Sequence, residues 1–250
     1  MIVINYNKIG ANGVSQLGSL LASCSNLSNL ELKTNESQFS VQGTSCLSSA
    51  LSKRTNLSNL NLNLSGNYIG DKGVSGLGSQ LSKITNLSNL TLYLCKNQIG
   101  VNGASGIGSG LANCTTLSNL RLNLSLNQIG DKGALGLGSA LKNYTNLQKL
   151  TLDLSRNELG AKITSRLGPA LAKCIDLQNL KLFLDGNKIA NNASGLGYEL
   201  ANCTNLSNLT LDLSNNNLRA NHASRLGSAL ANCTNLSNLN LNLRKTDLKL

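Results

Sequence analysis

The chain has 250 residues, a formal charge of +11, 40% hydrophobic but only 3% aromatic residues, 24 glycines, one proline and no tryptophan. This composition excludes a Pro/Gly-rich linker and an aromatic-built core, and no run approaches the roughly 18 apolar residues of a membrane span. Seven cysteines without a C-x-x-C pair, and an N-terminus that turns polar at Asn5, fit a reduced, intracellular and cytoplasmic protein better than a disulfide scaffold or a secreted one.

Self-similarity dominates the chain. An Asn-Leu step or a near variant ends at Leu27, Leu57, Leu87, Leu117, Leu147, Leu177, Leu206 and Leu236, at intervals of 30 residues with a single interval of 29. Ile2, Ile4, Asn7, Ile9 and Gly10 align with Leu62, Leu64, Asn67, Ile69 and Gly70, so the first residues read as the middle of a strand. The next unit keeps Leu30 and Leu32 but continues with Thr34, Ser37 and Phe39, which predicts an irregular strand there. In the third unit Leu60, Leu62 and Leu64 alternate with Asn61 and Asn63, the period of a strand buried on one face. From Asp71 the spacing changes: Val74, Leu77 and Leu81 recur at three and four residues, the period of a helix with one buried stripe. Asp71 predicts the helix N-cap, and Asp131 repeats it two units later. Recurrent glycines such as Gly73, Gly78, Gly103 and Gly108 predict close helix packing, because glycine costs a helix about 1 kcal/mol relative to alanine. The short interval is a one-residue deletion between Ile189 and Leu196. The last unit ends on Leu239, Leu241, Leu243 and Leu248, with Thr246 in the asparagine position.

A strand and a helix every 30 residues stack into a parallel sheet backed by helices. Strands stand about 4.8 Å apart and helices about 8–10 Å, so the expectation is a curved α/β horseshoe with the sheet concave and the helices convex. About eight units would form one domain over residues 1–250, with partial units and no recognisable cap at either end. A fragment of a longer protein, or a subunit of a larger complex whose ends are covered, is the corresponding expectation.

The Leu-x-x-Leu-x-Leu run, the asparagine and Ile-Gly that follow, and the later Leu-Gly-x-x-Leu resemble leucine-rich repeats of the ribonuclease-inhibitor type, which also build the Ran GTPase-activating protein. The resemblance covers essentially the whole chain. One departure is a strand two residues longer, which adds a third inward leucine in phase. That long form, with its Leu-Gly-x-x-Leu-x-x-Cys-Thr-Asn-Leu, looks like large repeat families of ciliated protozoa, some of them accompanying protein kinases; no kinase motif is present here.

Five cysteines, Cys24, Cys114, Cys174, Cys203 and Cys233, share one row after the helix with Arg54, Ile84 and Tyr144. A row that accepts these side chains reads as a structural packing position, not as a metal site or a disulfide. Cys95 follows a strand and is expected to be accessible. Asn7, Asn67, Asn97, Asn127, Asn157, Asn187 and Asn216 read as a structural ladder, since a buried carboxamide both donates and accepts where the strand turns away. The glycine clusters lack the spacing of a phosphate loop. His222 stands alone and reads as a surface histidine, and Asp153 and Asp212 read as too far apart for paired-carboxylate catalysis. No catalytic, cofactor-binding or metal-binding residue is expected.

Function is expected on the strand residues between the inward leucines, which vary most between units. The partner-binding candidates are Glu31, Lys33, Tyr93, Arg121, Asp153, Lys181, Phe183 and Asp212, with Tyr93, Arg121 and Phe183 of the types that anchor interfaces. Basic residues on the helical side, including Lys53, Arg54, Lys72, Lys83 and Lys132, are expected to solubilise the chain or to dock it on something acidic. The expected function is a non-catalytic protein-interaction scaffold, working through the concave face or the ends, with an acidic protein partner in a cytoskeletal or ciliary assembly. Alternatives are regulation of a small GTPase, implied by the Ran-activator resemblance, and a targeting piece of a larger kinase-type protein. Nuclease inhibition suits an acidic inhibitor and not a +11 chain. Nucleic acid is disfavoured because only Tyr93 and Phe183 offer stacking surfaces on the inner face. No small-molecule substrate is expected.

Overall fold

The computed structural model describes residues 2–3, 10–24, 26–189 and 193–244. Among the described residues nine strands run in chain order: β1 (Ile2–Val3), β2 (Asn29–Lys33), β3 (Asn59–Asn63), β4 (Asn89–Tyr93), β5 (Asn119–Asn123), β6 (Lys149–Asp153), β7 (Asn179–Phe183), β8 (Asn208–Asp212) and β9 (Asn238–Asn242). Between them lie α1 (Gly10–Ser23), α2 (Val41–Ser52), α3 (Gly70–Leu81), α4 (Val101–Leu111), α5 (Gly130–Leu141), α6 (Lys162–Leu171), α7 (Ala193–Leu200) and α8 (Ala220–Leu230). All strand pairs are parallel and sequential, from β1 to β9, in one open sheet with eight strand–helix units. The result is a leucine-rich-repeat-like solenoid.

Register follows the repeat. Leu60 faces Leu90, Leu90 faces Leu120, and Ile2 faces Leu32. Leu60, Leu62 and Leu64 are buried, as are Val74, Leu77 and Leu81 of α3, so one core runs between sheet and helices. The third leucine lies just past the strand, yet its N–H still donates to Tyr93 O at 2.9 Å, so pairing continues through the added residues. The second unit is regular, contrary to the expectation. Strand β2 pairs with β3 over its full length, and Thr34 and Phe39 fill the rows of Leu64 and Ile69 as buried residues. Ser37 fits because its backbone N–H, not its side chain, meets Asn67 Oδ1 at 3.0 Å. The residues expected to continue the first strand (Ile4, Asn7 and Ile9), those at 190–192 beside the deletion, and Thr246 and Leu248 lie outside the described residues.

The N-cap expectation for Asp71 and Asp131 is corrected. Both sit in the first turn of their own helices, α3 and α5, whose N-caps have no side-chain hydrogen bond. Their Oδ1 atoms instead accept from Gly100 N at 2.6 Å and Gly160 N at 2.7 Å in the following units. The carboxylate that would cap its own helix clamps the entry to the next one.

Glycines set the helix layer. An added Cβ on Gly110 would overlap the backbone of Gly78, and one on Gly108 would stand 2.6 Å from Gly136 O. Helices α3, α4 and α5 therefore meet backbone to backbone. The expected horseshoe curvature came from the mismatch between strand spacing and ordinary helix spacing. The sheet is open, and strands and helices alternate along it as the repeat predicts.

Two substitutions separate this packing role from helix propensity. Gly110→Ala is expected to destabilise the chain by about 2–3 kcal/mol, because the new methyl meets backbone that cannot give way. Gly76→Ala, in α3 with nothing within 4 Å of the added atom, is expected to stabilise by about 0.5–1 kcal/mol. Urea denaturation of the two variants beside the parent measures both.

Candidate functional site

Where strands β3 to β8 turn towards their helices, a buried asparagine holds the turn. Asn127 Oδ1 accepts from Asn97 N at 2.9 Å and Ile99 N at 3.0 Å in the preceding unit. Its Nδ2 donates towards Leu94 O, Leu124 O and Ser125 O. Asn67, Asn97, Asn157, Asn187 and Asn216 are buried in the same row. The turns alternate between two forms. Asn67, Asn127 and Asn187 each accept two backbone bonds from the unit before. Asn97, Asn157 and Asn216 each accept one, at 3.3–3.5 Å. In the intervening turns Gly70 and Gly130 adopt positive φ, and their N–H groups donate to Asn97 O and Asn157 O.

The cysteine row closes the other edge. Cys174 Sγ donates to Leu141 O at 3.2 Å, at the end of the preceding helix. Tyr144 Oη donates to Leu111 O at 2.7 Å, and Arg54 Nη1 to Cys24 O at 3.0 Å. In all three a donor from one unit satisfies a carbonyl near the end of the helix before it. Arg54 is therefore not a surface cation; it is 8% exposed. Cys114, Cys174 and Cys203 are buried, Cys233 and Cys95 half-buried, and Cys24 is exposed. His222 is also corrected. It is 7% exposed, in the row where Gly73, Gly103 and Gly133 face the neighbouring unit. Among the described residues no His, Cys, Asp or Glu group is placed to hold a metal ion, and no helix is long and apolar enough to cross a membrane.

The outward face of the sheet carries the variable side chains in columns. The middle column runs Glu31, Asn61, Thr91, Arg121, Thr151, Lys181, Thr210 and Asn240; the next runs Lys33, Asn63, Tyr93, Asn123, Asp153, Phe183, Asp212 and Asn242. The Arg121 guanidinium lies over the Tyr93 ring, 5.2 Å from its centroid. Phe183 stands between Asp153 and Asp212 on the adjoining strands. Lys33 Nζ pairs with Glu31 Oε1 at 2.9 Å on the same strand. Asp153 and Asp212 also have local work: their Oδ1 atoms accept from Ser155 N and Ser214 N, turning the chain at the strand end. Lys181 is exposed beside Phe183.

Sequence reasoning missed a third column. Asn59 Nδ2 donates to Asn29 Oδ1, Asn89 to Asn59 and Asn119 to Asn89, a chain of carboxamides at 2.5–2.6 Å across the strand starts. Lys149 interrupts it, and Asn119 Oδ1 is left without a partner among the described residues. The signal was present: these asparagines recur every 30 residues with the outward parity of the variable positions. The columns also locate the charge. Glu31, Asp153 and Asp212 nearly balance Lys33, Arg121, Lys149 and Lys181 on the sheet face. The excess of cations stands elsewhere, on the helices and the turns.

No protein-family model matches the chain, and no curated protein matches it.

Burial pushes the Cys114 thiol up from 9.0 to about 11 and the Cys203 thiol to about 12. Cys174 also rises to about 12, through burial first and then the neighbouring Cys203. Tyr144 is raised by burial, with Cys114 and Cys174 adding to it. A raised acid favours the folded state below its unfolded value, and the benefit is lost as pH climbs towards the folded one. Stability is therefore expected to fall between about pH 9 and pH 12. At about 1.4 kcal/mol per unit, Cys203 costs about 2 kcal/mol near pH 10.5. Urea unfolding at pH 8 and about pH 10.5 measures the loss, and in Cys203→Ala it is expected to shrink by that amount.

Proposed function

We propose that the chain is a non-catalytic protein-interaction scaffold whose sheet face binds a partner protein. One observation carries the reading: outward strand positions change chemistry from unit to unit, while the positions that build the fold repeat. Tyr93 with Arg121, and Phe183 between Asp153 and Asp212, are the anchors, three strands apart. Large aromatic and guanidinium groups concentrate binding energy at interfaces. The reading further takes the solenoid as one of the ribonuclease-inhibitor type. It places the protein in an intracellular assembly, cytoskeletal or ciliary, with an acidic partner; the +11 charge supports the acidic partner. It assigns no cofactor and no reaction.

Photo-crosslinking residues placed at 93 and 183, in extract of the cells that make the protein, test it. The expected result is a discrete crosslinked protein at both positions, absent when the crosslinker replaces exposed Ser79 on α3, and weakened at least about tenfold by Arg121→Glu. Crosslinks no different from those at Ser79 would overturn the reading.

A further inference from the structure

The edge where strands hand over to helices carries features that the sheet face does not use. A groove of about 390 Å³ runs across the turns of the second to fifth units. Two large side chains on it stand in solvent, Tyr68 at 62% exposure and Leu126 at 48%. Leu126 is also held at φ 56°, in the left-handed region, in a row otherwise filled by glycine (Gly66, Gly186) or by polar residues at similar φ (Glu36, Lys96, Arg156, Asn215). That conformation strains a leucine and not a glycine, so neither backbone geometry nor burial accounts for a leucine at this position.

Three lysines of the same edge, one in the groove lining and two at the helix starts that follow it in the chain, are equally unaccounted for by folding. Lys72 and Lys132 lie in the first turns of α3 and α5, the positive ends of the helix dipoles, where a cation is disfavoured. Lys96, in the repeat unit between theirs, lines the groove itself. None of the three has an ion pair among the described residues. The adjacent carboxylates, Asp71 and Asp131, are taken up by Gly100 N and Gly160 N. Glu36 supplies the one carboxylate of the lining, in the second unit, three units from Leu126. The carboxamides of Gln38, Gln98 and Gln128 line the groove and are exposed. A carboxamide donates and accepts, which suits the main chain of a peptide.

We propose that this edge binds an extended acidic segment of a partner protein, with Tyr68 and Leu126 covering its apolar side chains, the glutamines pairing with its main chain, and Lys72, Lys96 and Lys132 meeting its carboxylates. The inference rests on the scaffold reading but places a second contact away from the sheet face. A protein segment fits better than nucleic acid, because Tyr68 is the one aromatic ring in the lining and nucleic-acid grooves stack successive bases.

Fluorescence anisotropy with a labelled peptide of alternating Glu and Leu tests it. Four units at roughly 4.8 Å each span about 19 Å, which about six extended residues cross, so a peptide of about 12 residues covers the edge with both ends to spare. The combined variant Lys72→Glu, Lys96→Glu, Lys132→Glu is expected to weaken binding at least about tenfold. A variant with the same charge change at the other edge, Lys53→Glu, Lys83→Glu, Lys142→Glu, is expected to weaken it no more than about threefold, since those charges act only at long range. Leu126→Gly is expected to weaken binding about fivefold while raising Tm by about 2–4 °C, a combination that a purely structural leucine would not give. Equal weakening by the two charge variants, unchanged affinity in Leu126→Gly, or no binding of the peptide at low salt would overturn the proposal. So would an oligouridine probe that binds more tightly with the same variant pattern, which would reassign the edge to nucleic acid. If the peptide test fails while crosslinks at 93 and 183 persist, the loop-edge site is removed and the scaffold reading stands.

Discussion

The structure depends on the carboxamide buried at the end of strands β3 to β8. Beyond Leu64, Leu94 and their equivalents the chain leaves the sheet, and its peptide groups enter a turn with no neighbouring strand to satisfy all of them. A buried peptide group without a partner costs roughly 1–3 kcal/mol. One asparagine side chain meets carbonyls of its own unit and of the unit before, and accepts that unit's N–H groups as well. Because the bond crosses from unit to unit, it pins the register of the stack as well as the turn. A slip of one residue would carry the carboxamide into an exposed row, where Lys96 or Gln98 stands, and bury its neighbour in its place.

Fixed register has two consequences for the surface. It aligns the outward side chains into columns, so that Arg121 reaches Tyr93 and Phe183 stands between two carboxylates. It also brings the helices into step, where glycine faces glycine and the layer tightens. The two-unit alternation of the turns adds a longer period. Asp71 and Asp131 each reach forward to the next unit, and left-handed residues fall at different places in alternate turns. The loop edge is therefore less uniform than the sheet, and it holds both Leu126 and the exposed lysines.

Rows were legible in the sequence, and neighbours were not. The alternation of Leu60, Leu62 and Leu64 and the helical spacing of Val74, Leu77 and Leu81 place their side chains in the core, where the structure has them. Asp71 shows where this stops. Its position in the sequence signals a helix start, but the acceptor it offers is taken by a backbone group 29 residues away. Arg54 and His222 fail for the same reason. A cation or an imidazole on the helical side reads as exposed, yet each stands in a row that faces an adjoining unit. The strand-start asparagine ladder was hidden differently, because asparagine near a turn has a sufficient local explanation. Among the candidate binding residues, column and parity were readable. The Arg121–Tyr93 stack and the near-neutral charge of the sheet face required coordinates.

The proposed scaffold needs rigid spacing between its anchors, and the inter-unit asparagine bonds tie the units together. The direct measurement is amide hydrogen exchange of Asn127→Ala against the parent. If the carboxamide ties each unit to the one before, protection is lost first at Asn97 and Ile99, the amides that donate to Asn127 Oδ1, and at the turn after β5, while the first and last units keep theirs. Uniform loss of protection along the chain, or none at Asn97 and Ile99, would contradict the account.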